Sequence, residues 1–248
     1  MLRLSINSLF SDLPCLTVTA LHFESIMDLP LSLFSSCCHL ESLTLVSVSF
    51  ANTETLSGSL FPSLRRLSIL SPWLDDDHEA FGVIMTQAAP TLTTLNLSET
   101  NARYFLNFKS TIIFPVLESI QASSNVSRYD AIPVLRFLSR LLKHSTPMLA
   151  QIQIECSSNY KDNLLERQQP LAKGFSPIDE ILSSPTYRGL KTLDLVFVDR
   201  YLYSDLLEVR TFINKILPAV SSRSQVEIKI TTNSPQPRYT HLEVHFVF

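Results

Sequence analysis

The sequence predicts a curved α/β solenoid: a ladder of parallel strands joined by short, irregular return helices, all within a single domain over residues 1–248. Three observations carry this prediction. A leucine pattern, LxxLxL with polar residues between, recurs along the chain. The stretches between copies show helical periodicity with recognisable ends. The composition, 45% hydrophobic and 17% charged over 248 residues, excludes disorder as the bulk state. A chain of this length buries roughly 70–75% of its unfolded surface without metals or disulfides.

The pattern is clearest at Leu40-Glu-Ser-Leu43-Thr-Leu45, Leu64-Arg-Arg-Leu67-Ser-Ile69, Leu92-Thr-Thr-Leu95-Asn-Leu97 and Leu190-Lys-Thr-Leu193-Asp-Leu195. Looser copies are Leu13-Pro-Cys-Leu16-Thr-Val18, Leu117-Glu-Ser-Ile120-Gln-Ala122 and Leu149-Ala-Gln-Ile152-Gln-Ile154, and the alternating Val226 to Ile230 is a candidate eighth. Copies begin roughly 24 to 32 residues apart, with one gap of about 41 between Leu149 and Leu190. Alternation requires a strand with one face buried, and the next ~20 residues must bring the chain back to start a parallel neighbour.

The return segments read as short helices. Between Leu29 and Leu40, LPLSLFSSCCHL turns Leu33, Phe34 and Cys37 inward. Asp76 and Glu79 have the spacing of a capping box, ahead of Phe81, Ile84, Met85 and Ala88, and Pro90 stops the run. Asp130 precedes Leu135, Leu138 and Leu142, a stripe that Val134, Phe137 and Leu141 widen. Ser176-Pro177 reads as an N-cap and first-turn proline before Ile178, Ile181 and Leu182. Ser204 opens what reads as the longest helix, with Leu206, Val209, Ile213 and Ile216 on one face until Pro218. Asn159 to Lys173, the most polar stretch, is expected to be a surface insertion. Residues 226–248 are expected to form a C-terminal strand pair covering an open sheet edge.

The segments LPLSLFSSCCHLESLTLVSVSF, FPSLRRLSIL and APTLTTLNLS resemble the leucine-rich-repeat region of F-box-type proteins from basidiomycete fungi. The resemblance covers most of residues 13–120 and, less clearly, the rest; the Asn or Cys usual at the ninth repeat position is missing. The resemblance implies a leucine-rich-repeat-like solenoid that recruits a target to an SCF-type ubiquitin ligase, while a separate F-box grips the Skp adaptor. No F-box is legible here, since Leu29-Pro30 is followed by a different pattern. The Skp adaptor and cullin are therefore implied partners only if an F-box is supplied or coupling persists without one. The alternative is a stand-alone repeat scaffold or regulator unconnected to ubiquitin.

Enzyme signatures are sparse. Gly58, Gly82, Gly174 and Gly189 cannot form GxGxxG, GxxxxGK[ST] or GxSxG. Asp75-Asp76-Asp77-His78-Glu79 reads as helix capping rather than metal binding, and Gly82 stands where HExxH needs its second histidine. Cys15, Cys37, Cys38 and Cys156 have no CxxC spacing and read as small buried hydrophobes. His241 and His245 read as exposed strand residues. No catalysis, cofactor or metal is expected. Twenty Lys and Arg against 23 Asp and Glu, with no basic run beyond Arg65-Arg66, make nucleic acid an unexpected partner. The longest apolar runs fall short of the ~18 to 20 residues that span a membrane. The start, MLRLSINSLFSDL, resembles no secretory signal, so an intracellular location, cytoplasmic or nuclear, is expected.

With the leucines inward, their alternates form a concave face expected to bind a protein whose identity is unknown: Ser42, Thr44, Arg66, Ser68, Thr94, Asn96, Ser98, Ser119, Gln121, Gln151, Gln153, Glu155, Thr192 and Asp194. The Asn159 to Lys173 loop ranks second.

Overall fold

The computed structural model describes residues 17–51, 60–70, 78–97, 112–125, 133–144, 148–157, 168–198, 206–222, 226–233 and 242–247. Its strands are β1 (Ala20–Leu29), β2 (Ser42–Phe50), β3 (Arg66–Leu70), β4 (Thr94–Leu97), β5 (Ser119–Asn125), β6 (Gln151–Ser157), β7 (Thr192–Val198), β8 (Glu227–Asn233) and β9 (Leu242–Val247). They form one sheet in chain order. Each of β1 to β7 runs parallel to the next, and β9 returns antiparallel to β8. The helices are α1 (His78–Ala88), α2 (Pro133–His144), α3 (Gln168–Leu182), α4 (Leu206–Ile216) and α5 (Pro218–Ser221), with 3-10 turns at Leu31–Ser36 and Pro185–Tyr187.

Each strand from β2 to β7 begins with the same hydrogen-bonding device. The Thr19 carbonyl accepts from the N–H groups of both Glu41 and Ser42, at 2.8 and 3.0 Å. The carbonyls of Glu41, Arg65, Thr93, Glu118 and Ala150 do the same for residue pairs 65 and 66, 93 and 94, 118 and 119, 150 and 151, and 191 and 192. These are the residues just after the first leucine of each copy, so the two spacer positions of LxxLxL are where one coil grips the next.

That grip sets the register. Leu43, Leu67, Leu95, Ile120, Ile152, Leu193 and Ile228 stand side by side, every one fully buried. A second row, Leu45, Ile69, Leu97, Ala122, Ile154 and Leu195, is equally buried two residues on. Both rows belong to one hydrophobic core with the buried faces of the helices and the first 3-10 turn. The connectors therefore cover one face of the sheet.

Leu21 and Phe23 pair with Leu43 and Leu45, which makes Val18-Thr-Ala-Leu21-His-Phe23 the copy carried by β1; Leu13 to Leu16 of the expected first copy lie outside the described residues. Val18 holds the first position of this copy, where the clear copies have leucine. The first two strands are kinked. Ser25, Ser47 and Asp28 have positive φ, at 57, 51 and 56°. Ser25 and Ser47 fall at equivalent register positions, and between Ile26 and Leu29 β1 carries a bulge. The bulged Asp28 N–H donates to the hydroxyl of the buried Ser49 at 3.0 Å.

The connector between β1 and β2 carries a 3-10 turn, and aromatic rings pack beneath the first strands. Phe34, carried by the expected turn over residues 31–36, meets Phe23 edge-on at 6.1 Å and Phe61 at 5.3 Å. Phe50 meets Phe81 of α1 edge-on at 5.3 Å. In α1 the expected stripe of Phe81, Ile84, Met85 and Ala88 is buried; the capping residue Asp76 lies outside the described residues.

The largest departure is α3. Ser176-Pro177 does not start a helix; Pro177 lies inside one that begins at Gln168 and is 15 residues long. It also exceeds the 11-residue α4, which was expected to be the longest. The signal was available, because Leu171, Phe175, Ile178 and Leu182 make one fully buried stripe. Pro177 and Lys173 are both exposed, so the carbonyl that loses its N–H partner is left on the solvent side. Residues 168–173 of the expected surface insertion are thus helical, with Leu171 in the core, while residues 159–167 lie outside the described residues. The chain closes with β8 and β9 as the antiparallel C-terminal pair.

Asp179 of α3 is the buried charged side chain of this region, at 6% exposure. Its carboxylate accepts from the N–H groups of Ala219 and Val220, at 3.0 and 2.8 Å, and so caps α5 from a neighbouring helix. Replacing Asp179 with alanine strands two N–H groups and should cost about 1–3 kcal/mol. Asp179→Asn, which keeps one acceptor oxygen, should cost less. Leu67→Ala should cost about 2–5 kcal/mol by opening a cavity in the first leucine row. Urea midpoints at unchanged m-value check all three.

Candidate functional site

The sheet face away from the connectors carries the alternates of the buried rows. Ser42, Arg66, Thr94, Ser119, Gln151 and Thr192 align laterally as one row. Thr44, Ser68, Asn96, Gln121, Gln153 and Asp194 align as a second, two residues further along the strands. Glu155 falls in a third row, between Ser123 and Val196. The structure therefore brings together the residues singled out from the sequence, apart from Ser98, which lies outside the described residues. Arg66 and Gln151 are exposed and the others half-buried.

The face extends further than the sequence indicated. On β1, Ala20 and His22 continue the two rows, missed because the first copy was placed at Leu13 to Val18. The Nε2 of His22 lies 3.7 Å from Oε2 of Glu24, with both side chains more than half exposed, a pairing of little energetic weight in water. On β8, Glu227 and Lys229 stand in register with Thr192 and Asp194. The alternation from Val226 to Ile230 was the signal that placed them there.

Chemically the face is made of neutral hydrogen-bonding groups. Between β2 and β7 its first two rows contain one cation, Arg66, and one anion, Asp194. The central Asn96, Gln121 and Gln153 each present a carbonyl acceptor and an NH₂ donor. Such a surface can satisfy polar groups of either kind.

Elsewhere the thiol of Cys37 is buried and donates to the Leu33 carbonyl of its own turn at 3.7 Å. Burial, and secondarily the neighbouring Cys38, raises its pKa, which disfavours the reactive thiolate. Cys156 is buried on β6, Cys15 and His241 lie outside the described residues, and His245 is on β9 in register with Lys229. Among the described residues no group of three or more His, Cys, Asp and Glu side chains could hold a metal ion. No helix among them is long and apolar enough to cross a membrane.

On the opposite side, a cavity of about 540 Å³ lies between α2 and α3, lined by residues including Arg140, Lys143, Glu180, Ile181 and Tyr187. Arg140 and Lys143 sit in the last turns of α2, where cations complement the helix dipole. Tyr187 is buried, and its hydroxyl donates to the Leu142 carbonyl, pinning the second 3-10 turn to the end of α2. No protein-family model, curated protein or solved structure matches this chain.

Burial pushes the Tyr187 hydroxyl up to about 12. The folded protein therefore keeps this proton where the unfolded chain has lost it. The corresponding stability is present below pH ~10 and is lost as pH rises toward 12. Absorbance titration at high pH should show one of the seven tyrosines ionising late, and Tyr187→Phe should remove that component.

Proposed function

We propose that this chain is a leucine-rich-repeat-like α/β solenoid whose open, concave sheet face recognises a protein partner, as the target-binding repeats of SCF-type ubiquitin ligases do. The observation that supports this most directly is the pair of unbroken polar rows running in register across β2 to β7. Parallel sheets are ordinarily covered on both faces. A repeated fold that covers only one of them leaves an extended, regular surface of the kind repeat proteins use for macromolecular binding.

The ligase connection rests on the resemblance of the repeat segments to fungal F-box-type proteins, and the partner-binding face stands without it. A scaffold or regulator unconnected to ubiquitin would use the same surface. Which of the two applies is decided by the company the chain keeps in cells.

The test is affinity purification of the chain from cells that express it, with the proteasome blocked, beside the double variant Gln121→Arg, Gln153→Arg. Proteins held by the face should fall about tenfold or more in the variant. Recovery of the Skp adaptor and a cullin with both forms would establish ligase coupling. Face-dependent partners without them would establish the scaffold alternative. A set of partners indifferent to the double variant would reject the face as the binding surface.

A further inference from the structure

The charges on the sheet face are segregated. Arg66 on β3 is the exposed cation of the first row. At the other end, Glu155 on β6, Asp194 on β7 and Glu227 on β8 each move one strand along and two residues back, a diagonal of carboxylates. The remaining charges on these strands are accounted for as follows. On β1, Glu24 sits beside His22, and the exposed Asp28 lies on the bulge near the strand's end. Lys229 is in register with Asp194, and β9 adds Glu243 and His245 in register with Thr231 and Lys229.

Between the two ends lies a run without charge. Asn96, Gln121 and Gln153 stand on adjacent strands, so their amides repeat about every 4.8 Å across the sheet. Each amide both donates and accepts, matching the N–H and C=O groups that an extended backbone leaves unpaired. From β3 to β7 is four strand steps, about 19 Å, which an extended chain covers in about six residues.

We infer that the occupant of this face is an extended segment of a partner protein crossing the strands, with an Asp or Glu over Arg66 and a Lys or Arg over the Glu155, Asp194 and Glu227 end. This rests on the reading of the face as a binding surface and adds the chemistry of what it binds. The charge pair sets the position of the segment along the rows, and the amides hold its backbone between.

Selection of displayed random peptides of about 12 residues, twice the required span, on the immobilised full chain tests the inference. The selected peptides should carry an acidic and a basic residue about six positions apart. A synthetic copy should bind about tenfold or more weakly to Arg66→Glu by fluorescence anisotropy. Exchanging its acidic residue for lysine should restore binding to that variant, whose fold is checked by circular dichroism. Peptides without the charge pair, binding unaffected by Arg66→Glu, or no selected peptide at all would each overturn the inference. If peptides lacking the pair still lose binding in Gln121→Arg, Gln153→Arg, the charge pairing fails while the face reading stands. If neither set of changes matters, both fail.

Discussion

In each of the repeats from Thr19 to Ala150, one carbonyl, at the residue after the first apolar position, accepts two N–H groups from the repeat that follows. A carbonyl oxygen has two lone pairs and can serve both donors, so the start of each strand is fixed to the last by its backbone before any side chain is chosen. Register follows from that. Because side chains alternate across a strand, a slip of one residue would carry every leucine to the solvent and every polar alternate into the core. The fully buried row from Leu43 to Ile228 and the polar row from Thr44 to Asp194 are therefore two outcomes of the same backbone constraint.

Holding register in the backbone frees the connectors to differ. A 3-10 turn with a phenylalanine cluster joins β1 to β2, and helices of 11 to 15 residues join later strands. The connectors are secured to one another by specific polar contacts. Asp179 caps the start of α5, and Tyr187 holds the end of α2. Hydroxyls at the first leucine tie successive coils as well: Ser63 donates to the Cys38 carbonyl and Thr91 to that of Leu64, at 3.0 and 2.8 Å. Buried polar groups are costly unless paired, so these few contacts constrain where each connector settles on the leucine rows.

The parallel strands and their facing were legible because leucine, isoleucine and alternating polar residues repeat at fixed offsets, and burial at those offsets is nearly complete. What was misplaced had competing local signals. Val18 stands where the clear copies have leucine, and His22 was missed from the face. Ser176-Pro177 imitates a helix start, and only the longer stripe of Leu171, Phe175, Ile178 and Leu182 shows that the helix has already begun. The cap from Asp179 to α5 joins residues about 40 positions apart, and no local pattern announces it.

The choice of residues on the uncovered face also bears on its use. Keeping a one-sided sheet soluble and unpaired is commonly managed with lysine and other charges. Here the central strands carry serine, threonine, asparagine and glutamine instead, with charge held toward the ends. Amides and hydroxyls cost far less to strip of water than ammonium or carboxylate groups, provided each finds a hydrogen-bond partner. Such a face is inexpensive to cover but contains few of the large aromatic anchors that concentrate binding energy in a small area. For the proposed partner, affinity would accumulate along the rows, one strand after another, so discrimination would rest on the length and polarity of the track it lays down, which the common register of β2 to β7 keeps continuous.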